Sequence, residues 1–280
     1  DRLTRMAGLR PVFIRYRNSL QHFLAAKVGD TTGLKRRIRH ARWLNKFRRF
    51  YSGHIVTVSR ALEEELVHEI GLKPRSIKTI YNPFDFDLLR RRAAEPCELP
   101  AEPYILYPAR LTPRKRQDLL LRAYAQSGVT LPLVLLGGVS GAEGEKYEAE
   151  MKVLTAELGI AGRVRFLGFE QNPYPWIKHA ALVAMSSDSE GLPTVLIESL
   201  ILGTSVVSTD CPTGPSEILT DDLARFLSPV DDAPALGANI REALESYPPI
   251  TEQHIERFRA ENTIRTYIAH LAMLAEKGRL

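Results

Sequence analysis

Apolar residues alternate along the chain between short continuous runs and helical spacings, and this alternation predicts an α/β protein. The short runs predict strands at 10–16, 54–59, 76–83, 104–110, 131–138, 163–169, 181–187, 205–210 and 224–229. The helical spacings predict helices at 34–50, 60–71, 116–128, 145–160, 173–179, 193–203, 214–219, 232–246 and 251–274. Continuous apolar runs such as LVLL and ALVAM indicate strands buried on both faces. That pattern is typical of a doubly wound, mostly parallel sheet.

A segment rich in proline, alanine and charge, RRRAAEPCELPAEP at 90–103, predicts a linker between domains. It divides the chain into a first domain with its linker at 1–97 and a doubly wound domain at 98–250. A carboxy-terminal helical region follows at 251–280.

The composition is that of a globular protein, with 280 residues of which 44% are apolar and 25% are charged. The formal net charge of +5 is concentrated in the basic helix predicted at 34–50, where Leu34, Ile38 and Trp43 interrupt the cations. Such a helix favours an anionic membrane leaflet or nucleic acid, and a solvated helix with one face on the core is the alternative. The aromatic residues lie on its apolar face, which disfavours nucleic acid.

Cys97 and Cys211 lie far apart and lack metal-ligand spacing, which favours a reducing compartment. The first residues of the sequence do not have the pattern of a signal peptide, so none is expected. No stretch approaches the roughly 18 apolar residues that cross a bilayer. We therefore expect a cytoplasmic protein, and the membrane interpretation of the basic helix would place it peripherally at the inner face of the cytoplasmic membrane.

Two cations follow the first strand of the second domain in ARLTPRKRQDLL. Arg110 comes at the carboxyl end of the strand and Lys115 comes just before the next helix. Ligands of doubly wound sheets bind at such strand ends, and the helix N-terminus adds free N–H groups. The pattern suits a diphosphate, although cations at these positions are often plain surface charge.

Two glutamates, Glu190 and Glu198, bracket seven residues in DSEGLPTVLIESL. Gly191 allows close approach of the backbone to a ligand, and Pro193 suits the first turn of a helix. The amides of Gly191 and Leu192 could then point at an anion or a sugar oxygen. Carboxylates accept hydrogen bonds from hydroxyl groups, so a sugar and a ribose are natural partners of the two glutamates. Apolar neighbours surround Glu198, and a largely buried glutamate needs a partner.

These segments together resemble the retaining glycosyltransferases of family 4, which have the GT-B architecture of two facing Rossmann-like domains. The resemblance rests on ARLTPRKRQDLLLRAY, VRFLGF, SSDSEGLPTVLIESLILGTSVVSTD and GPSEIL. It covers 76–280 well and 10–75 more loosely. It implies an incomplete amino-terminal Rossmann-like domain, a complete carboxy-terminal one, and a final helix that returns to the first domain.

The resemblance also implies catalytic roles for three residues. Arg110 and Lys115 would bind the donor diphosphate and stabilise the leaving nucleotide. Glu190 would contact the donor sugar together with the backbone amides of Gly191 and Leu192. The positive groups would take the place of a metal, so neither a metal nor a cofactor is expected.

Further donor contacts follow from the same resemblance. Pro193 would belong to the donor-binding loop, and Thr194 would touch the phosphate. Glu198 would bind the ribose hydroxyls of the nucleotide. Phe169 falls where the family contacts the base.

The chain departs from the family after the strand at 10–16, where many members carry a histidine. Here the sequence reads Arg17-Asn18-Ser19. Arg17 or Asn18 would hold the acceptor instead, and surface roles are equally compatible with the sequence.

The resemblance implies transfer of a hexose or N-acetylhexosamine from a nucleotide sugar, with UDP as the expected nucleotide. The acceptor would be a glycan or a lipid-linked molecule in bacterial cell-surface polysaccharide, lipopolysaccharide or glycolipid synthesis. Two alternatives stay open: a non-catalytic fragment that binds nucleotide sugars, and a nucleotide-sugar epimerase of GT-B fold.

Overall fold

A computed structural model describes residues 13–29, 33–50 and 53–276. The chain folds into two compact units. Among the described residues, the first unit contains those between 13 and 83, 190–192 and 260–276, and the second contains 84–189 and 193–259. Because residues 1–12 lie outside the described ranges, the predicted strand at 10–16 and the predicted domain at 1–97 are described only in part.

The first unit has a parallel sheet of three strands, β1 Phe13–Tyr16, β2 His54–Thr57 and β3 Ser76–Thr79, in the order β1-β2-β3. Ile14 lies opposite Ile55, and Ile55 lies opposite Ile77. Helices α1 Leu20–Val28 and α2 Gly33–Phe50 pack beside the sheet. Helix α2 is the predicted basic helix, whereas α1 was not predicted.

The helix predicted at 60–71 is shorter and changes its winding. Helix α3 spans Arg60–Glu64 and begins at Ser59, whose hydroxyl accepts from the backbone N–H of Leu62 (3.3 Å). A π-helical turn follows at Glu65–Glu69. The buried Glu65 carboxylate accepts the N–H groups of Leu20 (2.5 Å) and Gln21 (3.0 Å) at the start of α1. The spacing of apolar residues could not predict this cap, because Leu20 and Gln21 lie 45 and 44 residues from Glu65.

The second unit begins before the predicted linker. Helix α4 spans Phe86–Ala93 and is capped by Asp85, whose carboxylate accepts from the N–H of Leu88 (2.8 Å). The linker expected at 90–103 thus starts inside a helix. Apolar Phe86, Leu89 and Ala93 are buried at a helical spacing, and this outweighs the local charge.

The second sheet has six parallel strands in the order β6-β5-β4-β7-β8-β9. They are β4 Ile105–Pro108, β5 Leu133–Leu136, β6 Val164–Gly168, β7 Leu182–Met185, β8 Val206–Thr209 and β9 Leu227–Ser228. The connecting helices are α5 Gln117–Ser127, α6 Gly141–Glu157, α7 Tyr174–His179, α8 Thr194–Ile201, α9 Pro215–Ile218 and α10 Ala233–Glu245. Strands β5 and β7 are buried throughout. The predicted doubly wound α/β sheet is confirmed.

The single helix predicted at 251–274 is wrong. Helix α11 spans Glu252–Ile255, a 3₁₀ turn follows at Glu256–Phe258, and α12 spans Ala260–Glu276. Arg259 breaks the helix with an extended backbone (ψ 135°) and forms a parallel bridge with Phe84. Its guanidinium bonds Glu256 (2.7 Å) and Glu252 (3.0 Å) and lies over the Phe86 ring (4.2 Å). The contacts with Phe84 and Phe86 come from a distant part of the sequence, so the local periodicity does not contain them.

Candidate functional site

Strands β4 and β7 are neighbours where the order of the second sheet reverses. Doubly wound sheets bind ligands in the crevice outside the carboxyl strand ends at such a switch point. The segment after β4 carries Arg110 and Lys115, and the segment after β7 leads into α8 with Glu198. The topology therefore brings two of the predicted charged segments to one edge of the sheet.

Arg110 leaves the end of β4 as an exposed residue. Its guanidinium makes no hydrogen bond or ion pair with any residue in the described ranges. Its carbonyl is fixed by Gln117 Nε2 at the start of α5 (3.0 Å). The backbone of Arg110 is thus anchored while its charge stays available to an anionic ligand.

The residues that follow form a tight turn at 113–116, which we call the cation turn. Pro113–Lys115 is a single 3₁₀ turn, and Lys115 is half-buried at its end. The next residue, Arg116, has a left-handed backbone (φ 49°, ψ 46°) and is the N-cap of α5. A residue with a side chain is rarely stable in this conformation unless its surroundings hold it there.

Ion pairs hold the side chain of Arg116 within the second unit. Its Nε lies 3.1 Å from Asp118 Oδ1, and its Nη1 contacts Asp231. These carboxylates raise the pKa of Arg116, and the hydrogen bond to Asp118 makes the largest contribution. Arg116 is therefore a structural cation, unlike Arg110.

Buried hydroxyl groups hold the backbone of the cation turn. Tyr107 at the end of β4 donates to the carbonyl of Lys115 (2.7 Å). Ser186, directly after β7, shares its proton between the carbonyls of Lys115 (3.0 Å) and Arg116 (2.8 Å). The backbone N–H of Asp188 donates to the carbonyl of Arg114 (3.2 Å). Three consecutive carbonyls of the turn are thus tied to the ends of β4 and β7.

Two glycines after β5 allow the neighbouring segments to approach closely. A Cβ atom on Gly137 would overlap the carbonyl oxygen of Ala109, next to Arg110. A Cβ atom on Gly138 would lie 3.2 Å from the Cβ of Phe169. Phe169 itself is 80% exposed just after β6, an unusual degree for a phenylalanine.

Glu198 lies half-buried in the second turn of α8, and the three residues on each side of it in the chain are all apolar or buried. Its carboxylate has no hydrogen bond or ion pair with a residue of the described part of the chain. Burial raises its pKa to about 7. The Tyr174 phenol at the start of α7 is close enough for Glu198 to contribute to the raised pKa of that phenol, after burial. Such a carboxylate is suited to accept hydrogen bonds from ligand hydroxyls.

Helix α8 begins at Thr194, which is half-buried, and Pro193 occupies its N-cap position without a side-chain hydrogen bond. Pro193 was expected in the first helical turn and lies one position before it. The missing N–H of proline costs nothing there either, because no helical acceptor faces that position.

Residues 190–192 group with the first unit rather than with the rest of their loop. Glu190 is buried, with 8% of its surface exposed, as are Gly191 and Leu192. A Cβ atom on Gly191 would overlap the carbonyl oxygen of Arg17 in the same unit. Glycine is therefore required here by a backbone contact with Arg17, which the local sequence does not contain.

Arg17 and Asn18 are exposed and follow β1 in the first unit. Neither side chain makes a hydrogen bond or ion pair with another residue of the described ranges. Their role on the acceptor side stays a prediction.

Several residues with direct bonds to the site were missed from the sequence. They are Tyr107, Ser186, Ser187 and Arg116. Tyr174, which interacts electrostatically with Glu198, was also missed. The run MSSDSE after a buried strand was a usable signal for the serines, because hydroxyls at a strand end often bind backbone groups. Nothing local indicated that Tyr107 reaches Lys115.

No group of three or more His, Cys, Asp or Glu side chains among the described residues is arranged to hold a metal ion. No helix in the same ranges is both long and apolar enough to cross a membrane.

Comparisons with known proteins agree with this architecture. Residues 94–261 match the family model "Glycosyl transferases group 1". A Campylobacter jejuni N-acetylgalactosamine-N,N'-diacetylbacillosaminyl-diphospho-undecaprenol 4-alpha-N-acetylgalactosaminyltransferase is 34% identical over 191 residues, covering 68% of this chain and 50% of that protein. A Salmonella typhimurium lipopolysaccharide 1,6-galactosyltransferase is 26% identical over 62% of this chain and 47% of its own length. The chain spans about half the length of the curated relatives it matches.

Solved structures show the same fold. Anabaena HepE in complex with UDP and glucose has a TM-score of 0.76 at 22% identity, covering 96% of this chain and 73% of that chain. The lipopolysaccharide outer core galactosyltransferase WaaB in its apo form has a TM-score of 0.63 at 22% identity, covering 81% of this chain and 62% of that chain.

The parallel sheets and these structural matches define an α/β protein of the GT-B glycosyltransferase fold. The matched segment is more than half of the chain and includes the whole switch-point edge. The chain belongs to the glycosyl transferases group 1 family.

Proposed function

We propose that this protein is a retaining glycosyltransferase of family 4. It would transfer a hexose or N-acetylhexosamine from a UDP-linked sugar to a glycan or lipid-linked acceptor in bacterial cell-surface polysaccharide, lipopolysaccharide or glycolipid synthesis. The observation that carries the proposal is the pairing of unlike charges at the switch point of the second sheet. Exposed Arg110 and the cation turn follow β4, and Glu198 without a hydrogen-bond partner in the described chain follows β7.

The cations suit the diphosphate of the donor. Arg110 has an exposed guanidinium, and Lys115 ends a turn at the start of α5. Positive groups held in place before the reaction stabilise negative charge on the departing nucleotide. We propose that they do so without a metal or another cofactor.

Glu198 suits the ribose of the nucleotide. Its carboxylate is half-buried, and its pKa is raised to about 7 because burial disfavours the charge. Two ribose hydroxyls would donate hydrogen bonds to it and offset the lost hydration.

Phe169 suits the base. It is 80% exposed, and its Cβ lies close to Gly138 after β5. Exposed aromatic rings stack on nucleotide bases, which supports uracil as its partner without selecting it over other bases.

The remaining donor contacts are assigned from the family resemblance. Glu190 and the amides of Gly191 and Leu192 would meet the donor sugar. Pro193 would shape the loop, and Thr194, the first residue of α8, would meet the phosphate.

Calorimetric titration of the chain with UDP, in the absence of metal, tests the donor site. We expect saturable binding that falls about tenfold or more in Glu198→Ala, because buried hydrogen bonds to a carboxylate are lost. Glu145→Ala, an exposed glutamate on α6, is the control and should bind as the unaltered chain does. Absence of UDP binding, or equal binding by both variants, would overturn the assignment.

Turnover with a UDP-sugar tests the transfer. Glu190→Gln should lower kcat far more than it lowers UDP affinity if Glu190 contacts the sugar. A loss confined to UDP affinity would contradict that role. UDP binding without transfer by the unaltered chain would instead favour a nucleotide-sugar-binding protein.

We also propose that the basic helix α2 binds an anionic membrane surface at the cytoplasmic face. Residues 33–42 of this helix are exposed on all sides, including Leu34 (71%) and Ile38 (46%). The helix contains no acidic residue. Cations beside exposed apolar side chains favour the interface of an anionic leaflet. The lipid-linked substrate named for the Campylobacter relative agrees with such a location.

Vesicle sedimentation tests this surface. The chain should sediment with vesicles that contain anionic phosphatidylglycerol and not with neutral phosphatidylcholine vesicles. Charge reversal at Lys35, Arg36 and Arg42 should abolish the binding, whereas Arg122→Glu on α5 should not. Equal binding to anionic and neutral vesicles would contradict the proposal.

We also propose that Arg17 and Asn18 lie on the acceptor side.

A further inference from the structure

We infer that Ser186 and Tyr107 are positioning residues that set the place of Lys115 through its backbone carbonyl. The inference rests on the proposed function, in which Lys115 meets the donor diphosphate. Both hydroxyls belong to the second unit and lie at the carboxyl ends of β7 and β4.

The two hydroxyls converge on one acceptor. Tyr107 Oη lies 2.7 Å and Ser186 Oγ lies 3.0 Å from the carbonyl oxygen of Lys115. A carbonyl oxygen has two lone pairs, so it can accept from both hydroxyls at once. Ser186 Oγ also lies 2.8 Å from the carbonyl oxygen of Arg116.

Both hydroxyls are themselves held in place. Tyr107 is 1% exposed and Ser186 is fully buried. Ser187 Oγ lies 3.1 Å from Tyr107 Oη. Because Tyr107 gives its proton to Lys115, Ser187 donates to Tyr107. Linked hydrogen bonds of this kind strengthen one another in a buried environment.

The bonded residues sit where the chain would otherwise relax. The left-handed backbone of Arg116 separates Lys115 from α5. A relaxation at Arg116 would rotate the turn that carries Lys115. The bonds to the carbonyls of Lys115 and Arg116 oppose that rotation from the side of β7, while Asp118 and Asp231 hold the Arg116 side chain.

A folding role alone would also explain buried hydroxyls, so the test must separate the two. Lys115 is proposed to meet phosphate and not the nucleoside. A displaced Lys115 should therefore weaken UDP binding and leave uridine binding unchanged. A general loss of packing would weaken both ligands together.

Titration calorimetry of Ser186→Ala and Tyr107→Phe with UDP and with uridine applies this test. We expect each variant to bind UDP about fivefold more weakly, as for loss of one buried hydrogen bond. Uridine affinity should change less than twofold. Ser208→Ala on β8 is the matched control, because its buried hydroxyl donates to the carbonyl of Thr209 (2.7 Å) and not to the turn.

A double-mutant cycle with Lys115→Ala completes the experiment. If Ser186 acts through Lys115, Ser186→Ala should have no further effect on UDP affinity in the Lys115→Ala background. Additive effects of the two changes would overturn the inference, as would equal losses for UDP and uridine. The proposed function fails separately, if the unaltered chain binds no UDP. Weakening by Lys115→Ala together with full UDP affinity in Ser186→Ala and Tyr107→Phe would leave the function intact and overturn only the positioning role.

Discussion

The two charged parts of the switch-point edge are built in opposite ways. The cation turn has three consecutive carbonyls bonded to the ends of β4 and β7, and a left-handed residue held by two carboxylates. Glu198, on α8, has no hydrogen bond or ion pair in the described part of the protein, and burial raises its pKa to about 7. The positive part is organised by the protein in advance, whereas the negative part is left to be completed by a ligand.

This difference follows from the chemistry assigned to each part. Charge that develops during a reaction is best stabilised by groups that need not move. A carboxylate that only recognises hydroxyls can stay unsatisfied until they arrive, at a cost to the stability of the free protein.

Gly137→Ala should have the largest effect on the protein, because it disturbs the backbone next to Arg110 in the prearranged positive part of the site. The added methyl group would overlap the carbonyl of Ala109 beside Arg110, and backbone atoms cannot move aside as a flexible side chain can. We expect a loss of roughly 3 kcal/mol or more in the free energy of unfolding. Thermal unfolding of the purified variant measures it.

Gly162→Ala is the control for this change. A Cβ atom there meets nothing within 4 Å, and the residue has no left-handed backbone. Its melting temperature should stay close to that of the unaltered chain. Equal melting temperatures for the two variants would show that the backbone beside Arg110 is not tightly packed.

Arg110→Ala should reduce UDP affinity about thirtyfold, because a charge-assisted contact to the diphosphate is lost. Uridine affinity should not change. The exposed Arg122 on α5 provides the control, since Arg122→Ala removes the same charge away from the edge. Calorimetry that shows no UDP-specific loss for Arg110→Ala would remove this residue from the donor site.

The sequence predicted the second sheet well because its strands are buried on both faces. A short apolar run such as LVLL with turn residues on both sides predicts a buried strand. Strand β5 is indeed buried at all four positions. The cap of α4 by Asp85 is likewise local, because it is a contact over three residues.

Contacts between distant residues explain what the sequence did not predict. The helix at 251–274 breaks at Arg259, which meets Phe84 and Phe86. Helix α3 ends in a π-helical turn whose Glu65 caps α1. In the candidate site, the charged residues were visible as motifs, whereas the bonds from Tyr107 and Ser186 to the cation turn depend on the neighbouring strands of the folded sheet.

The pH dependence of uridine binding tests the other half of the comparison. Ionised Glu198 accepts two hydrogen bonds from ribose hydroxyls, and protonated Glu198 accepts them less well. With its pKa near 7, affinity should rise about tenfold between pH 5.5 and pH 8. Uridine carries no phosphate, so the titration of the ligand does not contribute. Calorimetry at several pH values should find this rise absent in Glu198→Gln.

The stability of the free protein should show the smallest effect, with a defined sign. The pKa of Glu198 rises on folding from 4.5 to about 7, so the folded state holds this proton more tightly than the unfolded state does. Its contribution to stability is complete below pH 4.5 and is lost as the pH rises through 7. Glu198→Gln removes this dependence. The free energy of unfolding of the variant, relative to that of the unaltered chain, should therefore increase as the pH rises.

A shift of this size corresponds to about 3 kcal/mol, and partial exposure of the carboxylate reduces the expected gain to about 1 kcal/mol. Urea unfolding at pH 5 and at pH 8 measures the difference between the two proteins. Glu145→Gln on α6 is the control, because that glutamate is exposed and its removal should give the same difference at both pH values. A gain for Glu198→Gln that does not depend on pH would mean that the carboxylate is satisfied in the free protein, and the contrast with the cation turn would no longer hold.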